Sequence, residues 1–138
     1  DLIEVNNFYK KGEITLPLIS SIIESNNIQS TWTVDKLTSI LNNENIKSVL
    51  LVGAAFKEDT DDLRNSPTLD IYKMLAQKEV QTSIYDEMVE LKEYHSVDSL
   101  EDVVEKTLVV LMYPVKKTLM DKIDKMLAQT NSVLYTPW

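Results

Sequence analysis

This chain of 138 residues contains very little of what many kinds of functional site require. It has no cysteine, which excludes disulfides, cysteine-based zinc sites and a thiol nucleophile within these residues. It has only two glycines, too few for the G-x-G-x-x-G turn that binds a dinucleotide pyrophosphate. A Rossmann-type NAD site is therefore not encoded in these residues.

The chain also lacks long apolar runs and basic stretches. No apolar run approaches the ~20 residues that a membrane-spanning helix needs, and the N-terminal residues lack the basic region of a signal peptide. The net charge is −8 and the pI is near 4.6, so no basic stripe exists to displace the counterions of nucleic acid. We expect no membrane or nucleic-acid partner, and the absence of cysteine favours a cytoplasmic location.

What is present has the pattern of a folded protein in two zones. The 43% of hydrophobic and 26% of charged residues are ordinary for a soluble globular protein. Residues 1–45 show helical patterns only, and the apolar residues within 16–27 and 33–41 recur at the spacing of one helix face. Residues 46–138 alternate strand and helix patterns. We predict an all-helical segment over 1–45 and an α/β domain over 46–138.

The second zone has the alternation of a parallel sheet. Predicted strands lie at 48–53, 80–85, 107–112 and 132–135, and predicted helices at 67–78, 100–105 and 115–128. Ser66 is a favourable N-cap and Pro67 a favourable first helical residue. Strand–helix alternation is typical of right-handed βαβ units, so we predict a small Rossmann-like parallel sheet of about four strands flanked by helices.

The loop over 53–66 has the strongest indications of a binding site. It is longer than most strand-to-helix loops, and ligands of parallel sheets bind beyond the carboxyl ends of the strands. It carries Lys57 and Arg64 just before the start of a helix. The ammonium of Lys57, the planar guanidinium of Arg64 and the amides at the helix N-terminus could together bind a phosphate. The alternative is that both residues are solvated cations or ion-pair partners of neighbouring aspartates. The spacing of these residues, taken alone, favours this alternative.

Those aspartates, Asp59, Asp61 and Asp62, also admit a hard-metal interpretation. We favour loop hydrogen bonds and an ion pair with Arg64 instead, and predict no metal site. Phe56 either lines a ligand pocket or belongs to the core. From the residues alone, the prediction is a small parallel α/β domain with a candidate anion site in its first loop.

These motifs resemble a known family. Gly53-Ala-Ala-Phe-Lys57, Asp59-Thr-Asp-Asp-Leu-Arg64 and Ser66-Pro67 match nearly every fixed position of one strand-loop-helix motif. That motif belongs to the C-terminal nucleotide-sugar-binding domain of the UDP-glucose/GDP-mannose dehydrogenase family. Ile84-Tyr-Asp86 and Leu108-Val-Val-Leu111 look like that domain's second and third strands. Residues 18–27 are similar to the family's central linking helix, which pairs subunits.

The resemblance implies an enzyme that oxidises the C6 alcohol of a nucleotide sugar to a carboxylate in two NAD-dependent steps. A cysteine thiolate suits this chemistry because it traps the aldehyde covalently between two hydride transfers. By position, Phe56 and Lys57 would contact the UDP-sugar, and Arg64 would order the loop or reach phosphate. Asp1 would fall on the last residue of the catalytic loop Gly-Gly-x-Cys-x-Pro-Lys-Asp, as a catalytic carboxylate, so the chain would begin directly after the catalytic cysteine and lysine.

The resemblance assigns substrate binding and dimer contacts to this chain. We expect NAD to be bound by a missing N-terminal domain, the chain alone to be inactive, and a homodimer to form through the central helix. The substrate would be UDP-glucose or UDP-N-acetylmannosamine, and the product a uronic acid for surface polysaccharide. The alternative is a non-catalytic nucleotide-binding or assembly module with the same fold.

Two stretches depart from the family pattern. Tyr135-Thr-Pro-Trp138 stands where the family often has an Asp and an Arg that help to hold the nucleotide. Tyr113-Pro-Val-Lys-Lys117 departs from its usual Thr-x-x-x-x-Phe. The resemblance therefore leaves the base and the sugar open.

Overall fold

Two continuous apolar runs form the centre of a four-stranded sheet. The computed structural model describes residues 2–12, 16–57 and 59–138. Strands β1 (Ser48–Val52) and β3 (Thr107–Leu111) are buried at every residue, as expected for strands covered on both faces. Strands β2 (Gln81–Tyr85) and β4 (Val133–Tyr135) lie outside them. All neighbours pair in parallel in the order β2-β1-β3-β4, which confirms the predicted α/β fold.

Four α-helices accompany the sheet in the described part of the chain. They are α1 (Leu2–Lys11), α2 (Pro17–Glu44), α3 (Pro67–Gln77) and α4 (Lys117–Thr130). The 28 residues of α2 join the two predicted segments 16–27 and 33–41 into one helix, because no glycine or proline separates them. It ends at Asn45, which adopts a left-handed conformation and donates its N–H to the Leu41 carbonyl.

The helices pack in layers on both faces of the sheet. On one face, α2 and α3 contribute Leu37 and Leu75 to a core with Val49 and Leu51 of β1. On the other face, α4 contributes Ile123 to a second core with Leu50 and Val52 of the same strand. Alternate residues of β1 therefore point to opposite layers, as the pleat of a strand requires. None of the helices in the described ranges has the length and apolarity needed to cross a membrane.

Two predicted helices of the α/β domain differ from the structure by two residues or more at one end or both. The predicted helix at 100–105 is only a single 3-10 turn, Leu100–Asp102, because Val103 leaves it in an extended conformation. The helix predicted at 115–128 begins two residues later, at Lys117, and continues to Thr130. It begins later because Lys116, the N-cap, is still extended, and it ends at left-handed Asn131. Neither difference alters the layer arrangement.

Candidate functional site

The order of the strands creates a crevice at their carboxyl ends. After β1 the chain passes to β2 on one side, and it then crosses to β3 on the other side of β1. The loop 53–66 leaves β1 at this reversal, and the segment 112–116 leaves β3 beside it. Open parallel sheets bind their ligands at such a reversal. The fold therefore places the predicted loop where a ligand is expected.

Gly53 begins this loop in a conformation that other residues rarely adopt. Its φ is +99°, and its N–H donates to the Tyr85 carbonyl at 2.9 Å. A Cβ at this position would lie 2.6 Å from two ring atoms of Tyr113. Both the backbone conformation and the approach of the ring require glycine here.

The start of α3 is fastened to the start of the loop by two hydroxyls. Ser66 Oγ donates to the Ala54 carbonyl at 2.5 Å, and Thr68 Oγ1 donates to the Gly53 carbonyl at 2.7 Å. Ser66 occupies the N-cap position, as predicted, but its side chain makes no capping bond to α3. The predicted N-cap position is therefore confirmed, although the hydroxyl donates its hydrogen to the buried carbonyl of Ala54.

Asp86 connects the ends of three strands. One carboxylate oxygen accepts the Ala54 N–H at 2.7 Å and the Tyr113 hydroxyl at 3.3 Å. The other accepts the N–H groups of Met88 and Val89, at 2.8 and 3.1 Å. With both oxygens occupied in this way, the carboxylate holds the crevice together.

A cleft of about 880 Å³ lies between the helical segment and the start of α3. Among the residues that line it are Ile3 of α1, Asn27 of α2, and Phe56, Arg64, Pro67, Met112 and Trp138. A smaller cavity of about 180 Å³ lies directly over Gly53, Asp86 and Tyr113. We take the larger cleft as the candidate site because it brings two predicted binding residues, Phe56 and Arg64, to one helix N-terminus.

The predicted binding residues lie at the surface of this region. Phe56 is 51% exposed, and the Lys57 ammonium lies 5.3 Å from the centroid of its ring. The Arg64 guanidinium makes two hydrogen bonds to the Asp62 carboxylate, at 3.0 and 2.8 Å. The ion pair considered from the sequence is therefore present, on a residue that also lines the cleft. Asp1, the predicted catalytic carboxylate, lies outside the described residues.

The loop acids that the structure describes do not gather around a cation site. Asp59 pairs with Lys116 at 2.6 Å, which links the loop of β1 to the segment that follows β3. Asp62 is committed to Arg64. Within the described ranges, no group of three or more histidine or acidic side chains is arranged to hold a metal ion. Asp59 and Asp62 act here as ion-pair partners.

Comparison with known proteins identifies the family to which this chain belongs. Residues 50–135 match the model of the UDP-glucose/GDP-mannose dehydrogenase family, UDP binding domain. This match covers more than half of the chain, and it contains the loop, Asp86 and all four strands except the first two residues of β1. The chain belongs to this family.

Individual family members are similar over the same region. GDP-mannose 6-dehydrogenase of Azotobacter vinelandii is 38% identical over 86 residues, which are 62% of this chain and 19% of the relative. The UDP-N-acetyl-mannosamine dehydrogenase Cap5O of Staphylococcus aureus superposes with a TM-score of 0.63 at 28% identity, over 76% of this chain and 27% of that one. This chain spans about a fifth of the length of the curated relatives it matches.

A third comparison extends the likeness of fold to the helical segment. GDP-mannose dehydrogenase of Pseudomonas aeruginosa superposes with a TM-score of 0.68 over 99% of this chain and 34% of that one. The identity is 24%, so this likeness concerns the fold alone. The arrangement of α1 and α2 against the sheet therefore also occurs in a dehydrogenase of this family.

Arg64 should hold the carboxyl of Asp62 ionised to unusually low pH. Hydrogen bonds from its side chain and its backbone N–H lower the pKa of Asp62 from 3.8 to about 2. A depressed carboxyl pKa contributes stability that is present above pH 3.8 and is lost as the pH falls through about 2. NMR titration of the carboxyl carbon should show this value. Arg64→Gln should raise the pKa of Asp62 part of the way back, since the backbone N–H remains. Lys57→Gln should leave that pKa unchanged. An unshifted pKa in the wild type would contradict the ion pair.

Two residues that shape this candidate site, Tyr113 and Trp138, were not predicted as site residues from the sequence. Tyr113 packs over Gly53, and Trp138 donates its indole N–H to the Leu111 carbonyl at 3.2 Å. The signal for Tyr113 was an aromatic residue two positions past an apolar strand. Trp138 gave no local signal, because its contact with Leu111 depends on the parallel pairing of β3 and β4.

Proposed function

We propose that this chain is the nucleotide-sugar-binding part of an NAD-dependent nucleotide-sugar 6-dehydrogenase. The whole protein would oxidise the C6 alcohol of UDP-glucose or UDP-N-acetylmannosamine to a carboxylate. Residues 46–138 would bind the UDP-sugar, and residues 1–45 would complete the cleft and supply dimer contacts. The observation that carries the proposal is one cleft that joins Phe56, Arg64 and the start of α3 at the carboxyl ends of parallel strands.

The charges at this cleft support binding of a diphosphate. A guanidinium has five N–H donors, and the bonds to Asp62 use two of its nitrogens, so Arg64 retains donors for a phosphate oxygen. Lys57 adds a mobile point charge beside Phe56. The N-terminus of α3, with Pro67 as its first residue, directs a partial positive charge toward the same place. Two cations and a helix dipole thus offset the acidic character of the chain.

NAD itself does not fit the residues of this chain. Gly53 is the only glycine at the turn from β1, and Asp86, which follows β2 where dinucleotide folds bind ribose, already accepts four hydrogen bonds. We therefore propose that NAD is held by residues outside these 138, as is the cysteine of the family's chemistry. Asp1 would assist that cysteine, and the chain alone would be inactive, in the cytoplasm of a cell that makes uronic-acid polysaccharide.

The surface of α2 supports the proposed homodimer. Leu18, Ile28 and Trp32 are large apolar residues that are 75%, 62% and 57% exposed. Exposed apolar residues that recur along one helix are typical of protein interfaces. A second copy of the chain would cover them.

Nucleotide affinity tests the binding role. Titration calorimetry of the chain should detect binding of UDP, and GDP should be tested as a competitor of that binding. Lys57→Ala should weaken UDP binding about tenfold, because a charge-assisted bond to phosphate is lost. Lys125→Ala, which removes an exposed lysine from α4, is the matched control and should leave the affinity unchanged. Equal affinity of the Lys57 variant and the wild type would remove Lys57 from the site.

The exposed face of α2 also favours a second candidate, a module that assembles without binding nucleotide. Sedimentation would then show a dimer that dissociates in Trp32→Asp, while calorimetry would show no heat with UDP or GDP. UDP binding in the wild type would contradict this candidate. A monomer at all concentrations would contradict the dimer.

A further inference from the structure

Trp138 places a large aromatic surface in the cleft. Its indole N–H donates to the carbonyl of Leu111, the last residue of β3, at 3.2 Å. The pairing of β4 with β3 ends one residue earlier, at Val110 and Tyr135, so the indole binds a carbonyl just beyond the β3–β4 ladder. The ring is fixed at one edge, yet the residue remains 62% exposed. A tryptophan held in this way loses little further conformational freedom when a ligand binds.

The rest of the cleft defines what such a ring would meet. Phe56 and Arg64 line the same cleft, and Lys57 stands beside Phe56. The cleft therefore combines a cationic region with apolar and aromatic surface. A nucleoside diphosphate has the complementary parts, since its diphosphate is anionic and its base is a flat π-system.

We propose that Trp138 stacks on the base of the bound nucleotide and so positions the diphosphate toward Arg64 and Lys57. This inference rests on the proposed function, and it adds a residue that holds the base to the residues that hold the phosphates. Stacking tolerates any base because every base has a π-face. Trp138 therefore contributes affinity for the nucleoside without selecting uracil or guanine.

Calorimetry of the whole chain with UDP and with GDP tests the proposal. Trp138→Ala should weaken both nucleotides by about 5- to 50-fold. Trp138→Phe, which keeps a ring but loses the bond to Leu111, should give intermediate affinities. The midpoint of thermal unfolding should stay near that of the wild type, because the residue is exposed and makes one hydrogen bond.

The salt dependence of binding separates base stacking from phosphate contact. Trp138→Ala should raise Kd without changing its slope against salt concentration, because no charge is removed. Lys57→Ala should reduce that slope. A reduced slope in Trp138→Ala would overturn the proposal, because the tryptophan would then be positioning Arg64 or Lys57 for phosphate rather than holding the base.

Fluorescence reports on the ring directly, since Trp32 and Trp138 are the two tryptophans of the chain. In Trp32→Phe, the remaining emission comes from Trp138, and UDP should quench it. The UDP concentration at half-maximal quenching should match the Kd measured by calorimetry. In Trp138→Phe, emission from Trp32 on α2 should not respond. Unchanged Trp138 emission on saturation with UDP would overturn the proposal.

The outcomes also separate this inference from the proposed function. If the wild type binds UDP and Trp138→Ala binds it equally well, the stacking role fails and the binding function stands. If Trp138→Ala loses affinity for one nucleotide only, the ring reads a particular base, and base-tolerant stacking is wrong. If the wild type binds neither nucleotide, the proposed function fails, and the role of Trp138 fails with it.

Discussion

Gly53→Ala should destabilise the protein by about 2–4 kcal/mol, from backbone strain together with overpacking. A φ of +99° is unfavourable for any residue with a Cβ, and that Cβ would lie 2.6 Å from the Tyr113 ring. Stability would be measured by chemical denaturation. Because small domains are stable by only about 5–15 kcal/mol, such a loss is a large part of the total.

The second glycine of the chain provides the matched control. A Cβ at Gly12 would meet the Tyr9 carbonyl oxygen at 3.5 Å, an ordinary contact, and its φ is not in the left-handed range. Gly12→Ala should therefore change stability by less than about 1 kcal/mol. Adding Tyr113→Leu to Gly53→Ala should recover the steric part of the loss but not the backbone part. Equal stability of the two single variants would show that Gly53 is not strained.

Asp86→Ala should cost about 2–4 kcal/mol, because it removes four charge-assisted bonds and leaves the buried Ala54 N–H without an acceptor. Ala54 is fully buried, so water has no access to its N–H once the carboxylate is gone. The loss of stability should appear in denaturation, and hydrogen exchange at Ala54 should accelerate. Asp86→Asn should cost less, since one amide oxygen can still accept.

Asp98→Ala is the control for this change, because Asp98 is an exposed acid in the segment that follows β2. It should alter stability by no more than about 0.5 kcal/mol. If Asp86→Ala were as stable as Asp98→Ala, the four hydrogen bonds to the carboxylate would contribute nothing. The crevice would then depend on packing of Tyr113 alone.

The fold was predictable because its decisive elements have local signals. The runs 48–52 and 107–111 are apolar at every position except their first residues, and Pro67 marks the first residue of α3. The continuity of α2 was less evident, since its apolar stripe is interrupted between Ile28 and Val34 by polar residues and Trp32. The brevity of the 3-10 turn at Leu100–Asp102 depends on the extended backbone of Val103, which no propensity specifies.

The site was predictable only in part. The loop motif predicted Phe56, Lys57 and Arg64 as binding residues, and Phe56 and Arg64 line the cleft. The sequence also suggested the Asp62–Arg64 ion pair that the structure contains. The roles of Asp86, Tyr113 and Trp138 arise from contacts across 27 or more residues of sequence. Such contacts are set by strand order, so local signals such as an acid or an aromatic residue just past a strand do not specify the partner.

The two outer strands also govern how the protein behaves when it is concentrated. Beside β2, the Ile84 N–H donates to the His95 carbonyl and the Val97 N–H donates to the Ile84 carbonyl, so residues 95–97 cover that margin. On the opposite margin, β4 has three residues, and Pro137, which has no N–H, follows shortly after it. Long unpaired strands are templates for aggregation, and short strands, prolines and covering segments oppose it. Resistance to amyloid-like growth is thus a property of both margins of this sheet.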